Sequence, residues 1–272
     1  MEIQDLYIYP IKSLGGFRVD SAEITPRGLR HDRRWMLTDP SGRFLSQREF
    51  PVMSLLRTAI DNNMLTVWHK RNPDRRLQLP LAPEGGARVP VQIWDDEVPA
   101  LPWLPDASQW FSEQLGQACQ LVYMPDDAER AVDPRYGQPG DITSFSDGYP
   151  ILLVAQASLD DLNQRLSEAV SMDRFRPNIV LRGGEAFVED RMRAFQVGDI
   201  QFRGVKPCAR CVIPTIDPDT AIGGKEPTRT LATYRRKDQK IFFGQNVLAD
   251  GTGLIRVGDA IQVSQWVDPL FG

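Results

Sequence analysis

Two of the three cysteines in this 272-residue chain, Cys208 and Cys211, stand in the run Lys206-Pro-Cys-Ala-Arg-Cys-Val-Ile-Pro-Thr-Ile-Asp-Pro-Asp-Thr220. Lys206 and Arg210 sit beside them. Nearby cations favour thiolate over thiol, and the thiolate is the form that attacks an electrophile or ligates a metal, soft metals above all. The spacing leaves several chemistries open besides plain structural cysteine. A thioredoxin-type dithiol wants a helix to start at the motif, yet β-branched Val212 and Ile213 follow, and then Pro214. Zinc needs about four ligands, and only Cys119, His31 and His69 remain, all remote in sequence. A single thiolate on a metal held mostly by a cofactor needs just one of the pair.

Other segments offer anion-binding chemistry. Tyr9-Pro-Ile-Lys-Ser13 ends a strand with a cation and a hydroxyl, and Gly15 and Gly16 follow. Such a strand end can hold an anion with charge, hydroxyl and backbone N–H groups, although an ordinary solvated strand end reads the same. Arg30-His-Asp-Arg-Arg34 concentrates positive charge, and Arg176-Pro-Asn178 could set a guanidinium and an amide at a strand entrance. His31 and His69 form no convincing acid–base pair, no Ser-His-Asp arrangement can be argued, and neither standard phosphate-binding glycine loop is present.

Composition narrows the class. Apolar and charged fractions of 42% and 25% are ordinary for a soluble globular protein. A net charge of -4 argues against broad nucleic-acid binding, which needs a basic face. Three cysteines cannot all pair within one chain, so a reducing compartment is expected. No stretch approaches the roughly 20 apolar residues that span a bilayer, and the N-terminus lacks the basic start and apolar core of a secretory signal. The cytoplasm is the expected location.

The elements that must position these residues are mostly short strands. Strands are expected at Ile3 to Ile11, Cys119 to Met124, Ile151 to Val154, Asn178 to Leu181, Ile200 to Val205, Val212 to Ile216, Ile241 to Leu248 and Ile261 to Val263. Hairpins are expected around Asp39-Pro-Ser-Gly42 and around Asp61-Asn-Asn63. Residues 73–105 read as irregular apart from a strand at Val89 to Trp94. Helices are expected after Asp106, stopping at Gly116, after a Ser158/Asp161 capping box with Leu159, Leu162 and Leu166 facing inward, and at Thr228 to Arg236. Residues 125–148 form a long polar loop, functional or mobile, and Cys119 reads as core packing. The pattern predicts a mainly β (α+β), barrel-like or sandwich-like protein.

Taken together and in order, several stretches resemble the MOSC superfamily, and more closely its amidoxime-reducing branch with an N-terminal MOSC β-barrel module. They are Tyr9-Pro-Ile-Lys-Ser13, Gly28-Leu-Arg-His-Asp-Arg-Arg-Trp35, Phe145-Ser-Asp-Gly-Tyr-Pro150, Ala157-Ser-Leu-Asp-Asp-Leu-Asn163, Phe175-Arg-Pro-Asn-Ile-Val180, Arg210-Cys-Val-Ile-Pro-Thr-Ile-Asp-Pro-Asp-Thr220 and Phe243-Gly-Gln-Asn246. The resemblance covers nearly the whole chain. It implies a β-rich N-terminal module at residues 1–122 and a β-barrel-like MOSC domain at 123–272, with interleaving of strands between them allowed.

The resemblance implies a molybdenum–molybdopterin cofactor with Cys211 as the protein's metal ligand and Cys208 as a neighbour. Cofactor contacts then fall on Lys12, Ser13, Arg33, Ser146, Tyr149, Arg176, Asn178, Ala209, Arg210 and Asn246. Lys12, Arg33 and Arg176 would meet its anionic groups, and Arg210 would keep Cys211 ionised. Some relatives have Ser at the position of Ala209 and Tyr at that of Asn246. The implied reaction is reduction of N-hydroxylated small molecules such as amidoximes and hydroxylamines. The chain lacks the four-cysteine ferredoxin module of some bacterial relatives and the targeting and membrane segment of animal ones. Electrons are therefore expected from a separate ferredoxin- or flavin-type redox protein. Two other readings stand beside this one: a carrier of cofactor or of sulfur as a Cys211 persulfide, and a dithiol oxidoreductase using both cysteines.

Overall fold

Strand Glu2–Ile8 buries Ile3, Leu6 and Ile8, a register shift between Ile3 and Asp5 bringing the later pair onto the inner side. In the computed structural model, which describes residues 1–81 and 85–271, this strand helps close the main sheet. The sheet runs Ile261–Trp266, Met192–Val197, Ile200–Ala209, Lys240–Asp250, Ile151–Ala155, Ile179–Arg182, Glu2–Ile8 and Phe17–Val19. It closes through Glu2–Ile8, next to its last strand: Glu2 bridges Ala260, and the Ile261 N–H donates to the Met1 carbonyl at 2.9 Å. Closure removes the exposed edges that an open sheet would leave. The result is a β-barrel, as the mainly β reading anticipated.

The barrel is filled from every wall. Phe195 and Phe202 stack with centroids 5.2 Å apart, both fully buried, among Leu6, Ile24, Leu153, Ile179, Leu181 and Val247. The parallel neighbours Ile151–Ala155 and Ile179–Arg182 are joined through helix Gln156–Arg165, the usual way to cross between parallel strands. That helix covers the outer face of the sheet with Leu159 and Leu162, against Val154, Phe175, Val180 and Phe243.

A second core lies under the N-terminal strands. Trp35 is fully buried and meets Trp103 edge-on at 6.1 Å and Tyr123 at 5.1 Å. Helix Pro105–Leu115 buries Trp110 and Phe111 there and ends at Gly116 in the left-handed conformation, as its sequence predicted. The hairpin Leu56–Asp61/Met64–His69 turns through Asn62 and Asn63, both at positive φ, which Asn tolerates.

Three expectations are corrected, and one strand had no counterpart among them. Val212 to Ile216 is not a strand: Ile213–Thr215 is a 3₁₀ turn, with Pro214 unable to donate to a ladder. Ser158 does not cap its helix, which starts at Gln156; its hydroxyl instead donates to Glu189 at 2.9 Å and accepts from the Phe187 N–H. The region 73–105 is more regular than its prolines suggest, with strands Asn72–Pro80 and Asp96–Pro102 beside Val89–Ile93. Strand Met192–Val197, not anticipated, pairs on both sides within the barrel. The loop at 125–148 has no named strand or helix, yet two buried arginines pin it. Arg27 donates to the carbonyls of Asp126, Ala128 and Thr143, and Arg130 to those of Ser144, Ser146 and Asp147. No helix among the described residues is long and apolar enough to cross a membrane.

Candidate functional site

The strand carrying the cysteines is regular at one end and broken at the other. Ile200–Ala209 pairs antiparallel with Lys240–Asp250, but the register shifts between Gly204 and Lys206 and again between Pro207 and Ala209. Such bulges bend a strand and re-aim its side chains. Gly204 permits the first of them, because a Cβ there would lie 2.0 Å from the Met192 carbonyl oxygen. The bend delivers Cys208, Ala209, Arg210 and Cys211 to the wall of a cavity of about 280 Å³.

The opposite walls come from both halves of the chain. Lys12, Ser13, Arg33 and Arg48 enter from the N-terminal side; Ser146, Asp147 and Tyr149 from the pinned loop; Arg176, Asn178 and Asn246 from the barrel. All of the predicted cofactor-contact residues and Cys211 line this one space. Lys12, Arg33, Arg48, Arg176, Lys206 and Arg210 give it six cations against the single carboxylate of Asp147. The field at the cavity is therefore strongly positive, although the chain as a whole is acidic.

Backbone strain marks the same place. Ser13, Arg33 and Arg176 all have left-handed backbones, at φ 67°, 48° and 56°. Non-glycine residues held there cost roughly 1–3 kcal/mol each and persist where surrounding contacts over-determine them. Those contacts are visible. Arg33 and Arg176 both lie over the buried Tyr9 ring, 4.5 and 4.3 Å from its centroid. Arg33 also pairs with buried Asp32 at 2.6 Å and donates to Asn178 Oδ1 at 3.0 Å, while Asp32 accepts from the Tyr9 N–H at 2.9 Å. Asn178 spends its amide holding Tyr7, Leu152 and Arg33 together, so in this arrangement it is a brace.

A relay of charge leads to Cys211. Buried Lys12 donates to Asp147 at 2.7 Å and to the Phe145 carbonyl at 3.0 Å. Asp147 also takes Arg48 at 3.0 Å, and Arg48 donates to Cys211 Sγ at 3.4 Å while stacking on Trp94. Burial lowers Lys12 to about 8, against the pull of Asp147. Burial works to raise Asp147, but Lys12 and Arg48 outweigh it and hold that carboxyl far below its usual range. Arg176 falls to about 10, through burial first and the neighbouring Arg33 second. The cation on Cys211 is thus Arg48. Arg210, expected to keep Cys211 ionised, instead donates to Cys208 Sγ at 3.2 Å and to the Phe175 carbonyl at 2.8 Å.

Residues 1–118 match the model of the MOSC N-terminal beta barrel domain, and residues 141–262 that of the MOSC domain. Mitochondrial amidoxime-reducing component 1 of Mus musculus is 34% identical over 95% of this chain and 81% of its own length. The chain belongs to the MOSC family. The human protein of the same name is 33% identical over 95% of the chain and 82% of its own. The molybdenum cofactor sulfurase of Oryza sativa is 31% identical over 99% of this chain, which spans only 35% of that longer protein.

For this MOSC chain, sequence reasoning missed Arg48 and Asp147 as site groups, and it placed Tyr9 only within a motif. Asp147 lies inside the Phe145–Pro150 stretch as its only charged residue, and that was its available signal. Nothing around Arg48 marks it, because its neighbours in the cavity are far away in sequence. Of the Arg30–Arg34 cluster only Arg33 reaches the cavity; Arg30 pairs with Glu23 at the surface and Arg34 with Asp126. Asp217 and Asp219 serve their turn and its ion pairs. Asp217 accepts from the Asp219 and Thr220 N–H groups and pairs with Arg174, and Asp219 pairs with Arg57 and Lys70. Neither histidine lines the cavity.

Proposed function

We propose that this protein is a molybdenum cofactor-dependent reductase of N-hydroxylated small molecules. The observation that carries the reading is the half-buried Cys211 thiol, met by Arg48 in the strained, cation-lined cavity. The donor set suits a phosphorylated, sulfur-ligated cofactor. Arg176, Lys206 and Arg210 have no carboxylate partner among the described residues, so they are available to an anion. The Tyr149 hydroxyl and Arg210 Nε are buried without a hydrogen-bond partner.

In this reading Cys211 is the metal ligand, Lys12, Arg33 and Arg176 hold the anionic groups, and Ser13, Ser146, Tyr149, Ala209 and Asn246 line the remainder. Arg48 orients the Cys211 sulfur from behind, with Asp147 and Trp94 fixing its own position. When bound, molybdenum supplies the two-electron couple for N–O cleavage, replenished by a separate ferredoxin- or flavin-type redox protein. In the net reaction the N–O bond breaks, two electrons and two protons are taken up, and the amine or amidine leaves with one water. Lys12, at about 8, and Tyr149, pushed up to about 12 by burial and then by Asp133, both keep their protons at neutral pH. They can therefore donate hydrogen bonds into the cavity.

The likeness to a cofactor sulfurase across nearly the whole chain supports a second reading, a carrier of cofactor or sulfur without turnover. One experiment separates them. The protein is purified from a host that makes molybdopterin, its molybdenum is measured, and benzamidoxime is offered with a reduced viologen as electron donor. Stoichiometric metal with amidine formation supports the reductase. Metal without turnover supports the carrier, and no metal in a host that loads another molybdoenzyme overturns both cofactor readings.

A further inference from the structure

Cys211 and Arg210 are shared by two hollows. On one side is the cation-lined cavity; on the other a shallow groove of about 520 Å³ opens to solvent. Its walls are Val212, Ala232 and Ile241, with Thr215 and Thr228 among them, and its charged side chains are Arg210, Lys225 and Arg229. No carboxylate lines it.

The three cations are not equivalent. Arg229 is tied to Glu226 at 2.6 Å, and Arg210 is turned toward Cys208 and the Phe175 carbonyl. Lys225 is exposed and, like Arg210, has no carboxylate partner among the described residues; Arg210 is engaged with Cys208 and the Phe175 carbonyl, so Lys225 is the cation the groove presents to solvent. Val212, next to Cys211 in the chain, is 50% exposed and offers an apolar surface at the groove's inner end. Thr215 and Thr228 complete its lining without adding charge.

We infer that this groove is the substrate subsite, and that Lys225 makes it select neutral and anionic N-hydroxylated compounds over cationic ones. The inference rests on the reductase reading and adds a specificity to it. An amidoxime is uncharged at neutral pH, whereas the amidine it becomes is a cation. The apolar wall of Val212, Ala232 and Ile241 accepts the first, and the Lys225 charge disfavours the second, so one device serves both substrate choice and product departure. A cation-selecting groove would need a carboxylate, and a purely apolar one would leave Lys225 without consequence.

The test is the ratio of kcat/KM for 4-carboxybenzamidoxime to that for 4-(trimethylammonio)benzamidoxime, measured at low ionic strength on metal-loaded protein. Because both values come from one preparation, incomplete loading cancels. The native ratio is expected to exceed one by about threefold to fivefold, an exposed charge being worth little more, and to shrink as salt is added. Lys225→Glu is expected to reverse the preference; an unchanged ratio overturns the inference. Direct binding of the same two compounds, measured by calorimetry, gives an arm that does not need turnover. If no amidoxime is reduced but Lys225→Glu still inverts relative binding, the reductase reading falls and the groove stands. Equal binding by native and variant protein removes the groove.

Discussion

The two ends of one strand pair make opposite kinds of structure. Toward Ile200, the pairing of Ile200–Ala209 with Lys240–Asp250 is in register, and Phe202 packs fully buried on Phe195. Toward Ala209 the register slips twice, and a fully buried apolar interior gives way to thiols and guanidinium groups. The regular end is held by burial, which is non-directional and tolerates exchange of similar volumes. The broken end is held by directional contacts, several of them on strained backbone. Stability is thus concentrated at one end of the strand and chemistry at the other, and substitutions should separate the two.

The largest separation is expected from Cys211→Ala. It should abolish molybdenum binding and amidoxime reduction, at least roughly 100-fold in turnover, while the unfolding free energy moves by under about 1 kcal/mol. Cys208→Ser should retain the metal. Equal loss in both variants, by elemental analysis and turnover, would replace the single-ligand reading with a dithiol one. At the opposite end, Phe202→Ala should cost about 3–5 kcal/mol in denaturant unfolding, with molybdenum per folded molecule preserved. A loss of metal from the folded fraction would show that the two ends are coupled.

A smaller effect should follow from Arg48→Leu. Cys211 then loses its only side-chain hydrogen-bond donor among the described residues, and metal affinity should fall about 10- to 100-fold, the usual cost of removing a ligand's orienting partner. Unchanged affinity would reduce Arg48 to a brace for Asp147.

The smallest effect is one of pH. Lys12 is lowered by burial to about 8, below its ordinary value. Between about 8 and its ordinary value, the unfolded chain holds a proton that the folded chain has lost. This group therefore makes stability rise with pH in that window, and its contribution is lost as pH falls through 8. Anion binding runs the other way: affinity of the metal-free cavity for inorganic phosphate should weaken as pH rises through about 8. Lys12→Arg should flatten that profile, and a profile already flat in the native protein would remove Lys12 from the anion-binding set.

Much of the barrel was legible because strand periodicity and turn chemistry are local. Ile151–Ala155, the hairpin at Asn62 and Asn63, and the helix ending at Gly116 are each written in a few adjacent residues. Strand Met192–Val197 was not legible, since its alternation is short and its two partners are remote. The capping role given to Ser158 failed for a related reason: a buried Glu189, thirty-one positions away, competes for the hydroxyl.

At the cavity, Lys12, Arg33, Arg176 and Cys211 were nominated together only through the family resemblance of several co-ordered motifs, since each alone reads equally as a solvated strand end, surface charge, turn or structural cysteine. Only the folded chain decided which cation meets which sulfur. Arg210 is adjacent to Cys211 in sequence but contacts Cys208, while Arg48, 163 positions away, reaches Cys211. Chain neighbours on extended backbone point in different directions, so adjacency in sequence does not place two groups in contact. The bulges at Gly204 and Pro207 set the final aim, and they depend on the paired strand and on the Met192 carbonyl that excludes any side chain at Gly204. Composition and motif specify what chemistry is available; long-range pairing specifies where each group points.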